Sequence, residues 1–300
     1  MISLAVLCLL GWHLVRNWRQ IPFEQIRFNY WCILFSFVCM FGFFSSYVLA
    51  WRLILRSYGY RVRFGDCFRI LAVSNLGKYL PGKVWYAVGR MFLAKRFAVP
   101  ERVSIVSTAL ETSLLGISAC MISVSTIAAP WGRNLSLRTS IVVLAVVVFG
   151  LVAVHPKVFE GLVNLVLRRL RRQPVRMNLS YGGIVGLLVL YCFSWLWQGL
   201  GFFFLVKSFY DVRVSLWPVL WGVYTLAWMT GFVNILTPAG LGVREGIITF
   251  FLSMYLATSV AVIVALVTRV WSTLVDVSFF LTSLVGMKRW WAAQVNAEGS

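Results

Sequence analysis

Residues 31–50 read WCILFSFVCMFGFFSSYVLA, a run of apolar and small side chains without a single charge. At 1.5 Å of rise per residue, a helix of about 20 residues crosses the roughly 30 Å of hydrocarbon in a bilayer. The run is apolar on every face, whereas a membrane β-strand alternates apolar and polar residues over about ten positions. Further apolar runs lie at 139–154 and 184–206. Of the 300 residues, 60% are hydrophobic and 12% charged, far from the averages of soluble domains. The sequence therefore predicts an all-α polytopic membrane protein, a single integral membrane domain over 1–300 with no soluble part able to carry chemistry alone.

Working outward, spans are expected near 2–17, 31–50, 104–128, 138–155, 183–206, 214–236 and 258–286, with less regular segments near 74–94 and 240–256. That makes about seven or eight transmembrane helices. The first run lacks a basic leader and a small-residue cleavage site, so it reads as a span rather than a removable signal peptide. The net charge of +19 is spread between the apolar runs and not gathered in a basic domain, which favours membrane topology over nucleic acid as its cause. Arg52, Arg56, Arg61, Arg63 and Arg69 follow one span, and Lys157, Arg168, Arg169, Arg171, Arg172 and Arg176 crowd the loop 156–182. The positive-inside rule puts both stretches in the cytoplasm, as in a bacterial-type inner membrane, and Lys288 and Arg289 favour the same side for the C-terminus. Alternatively, 157–176 lies on anionic lipid as a surface helix, with Val158, Leu162, Leu165 and Val166 at helical spacing. The six cysteines form no CxxC pair, and His13 and His155 have no ligand partner at helical spacing, so neither a metal nor another cofactor is expected. Trp12, Trp18, Trp51, Trp85, Trp217, Trp290 and Trp291 fall near span ends, where interfacial belts form.

Residues 74–94 mix Gly, Pro, Lys and Arg with aromatics, and 234–256 carry Pro238, Gly240 and Gly242 followed at once by Arg244 and Glu245. Backbone opened by Pro and Gly at membrane depth has to be buried in protein or line a watery cavity, so both read as broken or re-entrant helices. They occupy matching places in two half-repeats, about 31–128 and 183–286. Asn75 precedes Leu80-Pro81-Gly82, with Arg90 following and Glu111 thirty residues past the proline; Asn234 precedes Thr237-Pro238-Ala239-Gly240, with Arg244 following and Arg269 thirty-one past. Paired Gly/Pro-interrupted segments point to the central site of a transporter, although both residues are also common in ordinary membrane helices.

An ionisable group at mid-span costs about 2.5–3.5 kcal/mol on insertion scales and calls for a partner or a purpose. Glu111, Arg269, Asp276 and the Arg244–Glu245 pair are such groups. Glu111 and Arg269 hold corresponding repeat positions, which predicts that they pair, either as a functional couple or as a packing device. Arg244 and Glu245 open a helix after two glycines, where free N–H groups and a bidentate guanidinium suit a phosphate; Glu245 also suits the helix dipole. Lys78, Lys83 and Arg90 either add positive charge at the first break or snorkel to headgroups.

The motifs N-x-x-x-x-L-P-G-K-V-W with a following G-R (Asn75 to Trp85, Gly89, Arg90) and T-P-A-G-x-G-x-R-E-G (Thr237 to Gly246) resemble the transmembrane region of lysylphosphatidylglycerol synthetase/flippases, over about residues 30–286. The resemblance implies a flippase-like domain for an anionic or lipid-linked substrate. It points to Asn75, Pro81, Gly82, Lys83 and Arg90 in one motif and Pro238, Gly240, Gly242, Arg244 and Glu245 in the other. Two-domain members carry a soluble acyltransferase-like domain; here the sequence reaches Ser300 soon after the last expected span, so lysyl transfer is not expected.

The leading expectation is a lipid flippase holding a phospholipid, glycolipid or polyprenyl-phosphate headgroup, with Asn75, Lys78 and Asn234 beside the motif residues. No G-x-x-x-x-G-K-[ST] loop is present, which leaves downhill movement or proton coupling through Glu111 or Asp276. A membrane-embedded transferase using Glu245 or Glu111 as base, and a scaffold for a lipid or glycan synthase, are the alternatives.

Overall fold

The computed structural model describes residues 28–80, 84–128, 137–153, 155–169, 179–234 and 237–285. The expected span 2–17, the candidate site residues Pro81, Gly82 and Lys83, residues 170–178 and the C-terminal basic residues lie outside them. Helices follow the apolar runs: α1 (Tyr30–Ser57), α2 (Phe64–Asn75), α3 (Trp85–Ala94), α4 (Glu101–Ala128), α5 (Leu137–Ala153), α6 (Pro156–Arg169), α7 (Tyr181–Lys207), α8 (Trp217–Val233), α9 (Val243–Leu252) and α10 (Thr258–Leu284). Polar caps start the long ones. The Asn29 side chain accepts from the Cys32 N–H at 3.2 Å, and Ser180 Oγ accepts from the Gly183 N–H at 3.2 Å, each satisfying an amide that the first helical turn leaves open.

Among the described residues, five helices are long and apolar enough to cross a membrane: Tyr30–Ser57, Glu101–Thr126, Tyr181–Lys207, Val214–Val233 and Thr258–Leu284. The expected span 138–155 is shorter, because the helix there has 17 residues and reaches only about 26 Å at 1.5 Å per residue. The basic stretch after the first span also differs from expectation. Arg52 and Arg56 belong to α1 and Arg69 to α2, so the connection is only 58–63, and Arg52 Nε donates to the Val62 carbonyl at 3.1 Å to close it. The basic segment beginning at 156 does form a helix, α6, with Phe159 buried and Val158 and Leu165 exposed.

The order of elements in the first half is matched in the second. A long helix (α1, α7) is followed by a helix that breaks (α2, α8), a 3-10 turn (Leu76–Tyr79, Pro238–Gly240), a ten-residue helix (α3, α9) and another long helix (α4, α10). The halves dock reciprocally: α1 packs along α7, α2 rests on α10, α8 rests on α4, and the two 3-10 turns touch each other.

Where lipid-like side chains meet inside the bundle, little hydrophobic drive distinguishes partners, and polar contacts fix the register. Three buried indoles do this. Trp51 of α1 donates to Ser107 of α4 at 3.2 Å, Trp195 of α7 to Ser118 of α4 at 2.9 Å, and Trp271 of α10 to Ser36 of α1 at 3.1 Å. Trp51 is therefore a core residue with no exposed surface and not part of an interfacial belt, whereas Trp85 is exposed.

Candidate functional site

Both breaks depend on glycines at close approaches. At the first, a Cβ on Gly77 would lie 2.6 Å from the Tyr86 backbone nitrogen, so only glycine lets the 3-10 turn sit against the start of α3. At the second, Ala239 (φ 48°), Gly240 (φ 70°) and Gly242 (φ 84°) take left-handed backbone, and a Cβ on Gly240 would lie 2.8 Å from Gly231 Cα. Gly231 in α8 thus forms a flat seat for the turn, and Arg244 lies over the same spot. The turn hands the chain into α9, whose first amides are open. Glu245 Oε2 accepts from the Gly242 N–H at 2.7 Å, so the helix-start role expected of this carboxylate is the one it plays.

Between the halves lies a cavity of about 140 Å³. The first break contributes Asn75, Lys78 and Tyr79, and the second contributes Ala239 and Arg244. Tyr47 of α1, Tyr86 of α3, Thr112 of α4, Gln198 of α7, Tyr224 of α8, and Arg269, Ser272 and Asp276 of α10 add to its polar wall, with Phe44, Trp228 and Phe279 among the aromatic lining. The cavity brings together Asn75, Lys78 and Arg244 from the two broken segments with Arg269 and Asp276, the residues singled out as intramembrane charges. Asn234 caps the end of α8, and Pro238, Gly240 and Gly242 shape the second turn.

The intramembrane charges pair differently from expectation. Glu111 does not meet Arg269. Arg90 Nη1 lies 2.7 Å from Glu111 Oε2, with the two side chains only 2% and 1% exposed, and Tyr47 bonds to both. Arg269 instead sits 3.7 Å from Glu245 and donates to the Ala239 carbonyl at 3.1 Å. The reason is topological. In each half the ten-residue helix after the break folds back along the long helix that follows, bringing α3 to α4 and α9 to α10. In each half a charge on the ten-residue helix therefore pairs with one on the long helix after it, and the signs are exchanged: Arg on α3 and Glu on α4, Glu on α9 and Arg on α10.

A third pair crosses between halves. Lys78 Nζ lies 2.7 Å from Asp276 Oδ2, and the Tyr79 hydroxyl donates to the same carboxylate at 2.5 Å. Arg90 is buried under the Trp51 ring at 5.1 Å and does not reach out toward headgroups, and Lys78, partly exposed, is held by Asp276.

Arg244 is the exception. Among the described residues no carboxylate lies within ion-pair distance of it; its guanidinium donates to the Tyr224 hydroxyl at 3.0 Å and stands 5.4 Å from that ring's centre. With the other cavity charges matched, this guanidinium leaves one positive charge over. In surroundings of low dielectric such a charge attracts an anion far more strongly than it would in water. Sequence reading missed the tyrosines and Gln198. Tyrosines in apolar runs look like ordinary packing, while a lone amide in the middle of α7 was a visible signal.

The profile of the family described as lysylphosphatidylglycerol synthase TM region matches residues 1–279. The chain belongs to this family. It is thus a multi-pass membrane protein of lipid metabolism or transport. A comparison with curated proteins gave no match.

Proposed function

We propose that this chain moves a lipid with an anionic headgroup between leaflets, the headgroup passing through the cavity while its tails stay in the bilayer. The observation that carries the reading is Arg244, a cavity-lining cation with a neutral hydroxyl as its hydrogen-bond partner among the described residues. A phosphate or carboxylate supplies the charge that the site lacks, and Arg binds either through two parallel N–H···O bonds. Family membership and the meeting of two broken segments at one cavity support the same reading.

A transferase is less well supported. Its general base would have to be a carboxylate free to take a proton, and Glu111, Glu245 and Asp276 are each engaged by a cation.

The test is reconstitution in liposomes containing acyl-labelled fluorescent lipids, with a membrane-impermeant reductant reporting on inner-leaflet lipid that reaches the outside. Anionic lipid is expected to move with wild-type protein. Arg244→Ala should slow it by about 10- to 150-fold, the value of a hydrogen bond to a charged group. Movement that is unchanged in Arg244→Ala refutes the assignment. Protein that moves no lipid but purifies with a synthase in fixed ratio speaks for a scaffold.

A further inference from the structure

We propose that Gln198 makes the cavity selective for headgroups that carry a hydrogen-bond donor, a hydroxyl or an ammonium, in addition to the anion held at Arg244. The proposal rests on the lipid-moving reading above and names what the second half of the headgroup has to offer.

Gln198 stands in the middle of α7, a 27-residue apolar helix with no other amide side chain. It is 1% exposed, lines the cavity, and its Oε1 has no hydrogen-bond partner among the described residues. A buried carbonyl without a donor is rare in folded proteins, because the group gives up water and gains nothing for it. The neighbouring wall does not make up the deficit. The Tyr47 hydroxyl is engaged by Glu111 and Arg90, the Tyr79 hydroxyl donates to Asp276, and the Tyr86 hydroxyl is bonded to Thr112 at 3.2 Å. The missing donor therefore comes from whatever occupies the cavity.

A site that spends a buried acceptor on its ligand rejects analogues lacking the donor, since binding them leaves the carbonyl stranded. The cavity accordingly distinguishes two phosphodiesters of equal charge when one bears a hydroxyl and the other does not.

Phosphatidylglycerol and phosphatidylmethanol, both acyl-labelled, form such a pair. In liposomes containing the full chain, phosphatidylglycerol is expected to move about tenfold faster than phosphatidylmethanol. Gln198→Leu, which removes the acceptor while keeping an apolar side chain of similar length, should bring the ratio of the two rates close to one, slowing phosphatidylglycerol and relieving phosphatidylmethanol of the stranded carbonyl. Continued phosphatidylmethanol movement shows that the variant is folded, and the wild-type comparison tests the proposal even if the variant is not. Equal wild-type rates, or equal slowing of both lipids by Gln198→Leu, overturn it; a resident water that satisfies the carbonyl without reading the ligand gives the first of these results. If neither lipid moves with wild-type protein, the transport reading fails and takes this one with it, an outcome distinct from two lipids moving at one rate.

Discussion

Replacing Arg90 by Leu strands Glu111, and the cost can be estimated from the surroundings. The Glu111 carboxylate is 1% exposed and is held by Arg90 at 2.7 Å and by the Tyr47 hydroxyl. Removing one member of a buried pair costs about 3–5 kcal/mol, because the remaining charge is left in low dielectric without compensation. Removing both costs far less and is sometimes neutral, since the desolvation of both charges disappears together with their attraction. The double change Arg90→Leu with Glu111→Leu should therefore be more stable than Arg90→Leu alone by about 2–4 kcal/mol. Unfolding titrations in mixed micelles, followed by tryptophan fluorescence, measure all members of the cycle. The Trp51 indole stands 5.1 Å from the Arg90 guanidinium and reports on the site directly. A single substitution costing under about 1 kcal/mol, or strictly additive effects, would falsify the idea that this pair is a dry lock between α3 and α4.

The second-half pair should behave differently. Arg269 is 18% exposed and 3.7 Å from Glu245, so Arg269→Leu is expected to cost about 1–2 kcal/mol in the same titration, less than Arg90→Leu. Gly240→Ala places a Cβ against Gly231 on left-handed backbone, and should lose at least about 1–2 kcal/mol while disturbing the second turn, seen as new reactivity of a cysteine introduced at Ala239. Gly231→Ala would overlap the Arg244 side chain, and should slow lipid movement toward the Arg244→Ala rate without comparable loss of stability. Lys78→Met leaves Asp276 with Tyr79 as its donor from the first break, and Asp276→Asn in the same chain should recover most of the lost stability by relieving the unpaired charge.

Much of this was legible in the chain because its causes are local. Runs such as 31–50 have one stable conformation in hydrocarbon, and Pro and Gly mark where that conformation ends. Asn75, Lys78 and Arg244 could be named from the breaks alone. Partner choice could not. Glu111 and Arg269 correspond by position, but which charge each meets depends on how a ten-residue helix folds back along its neighbour, a property of tertiary packing. Arg52 and Arg69 looked like loop residues because charge is a poor marker of where a helix ends when its side chains can reach the interface. Gln198 was visible as a lone amide in an apolar span, yet its significance lies in a donor that the fold does not supply.

The pairing pattern also bears on how membrane voltage acts on the molecule. An elementary charge carried across 100 mV exchanges about 2.3 kcal/mol with the field, but a cation and anion moving together exchange nothing. Arg90 with Glu111, Arg269 with Glu245 and Lys78 with Asp276 are electrically silent in this sense wherever both partners move together. Among the described residues, Arg244 is the cavity charge on which the field has purchase. With the site empty, a displacement that carries these pairs whole moves one positive charge with Arg244 and couples to the potential; with a monoanionic headgroup bound, the moving unit is neutral. On the proposed lipid-moving reading, loaded passage is then electroneutral, and the voltage acts on the return of the unloaded site.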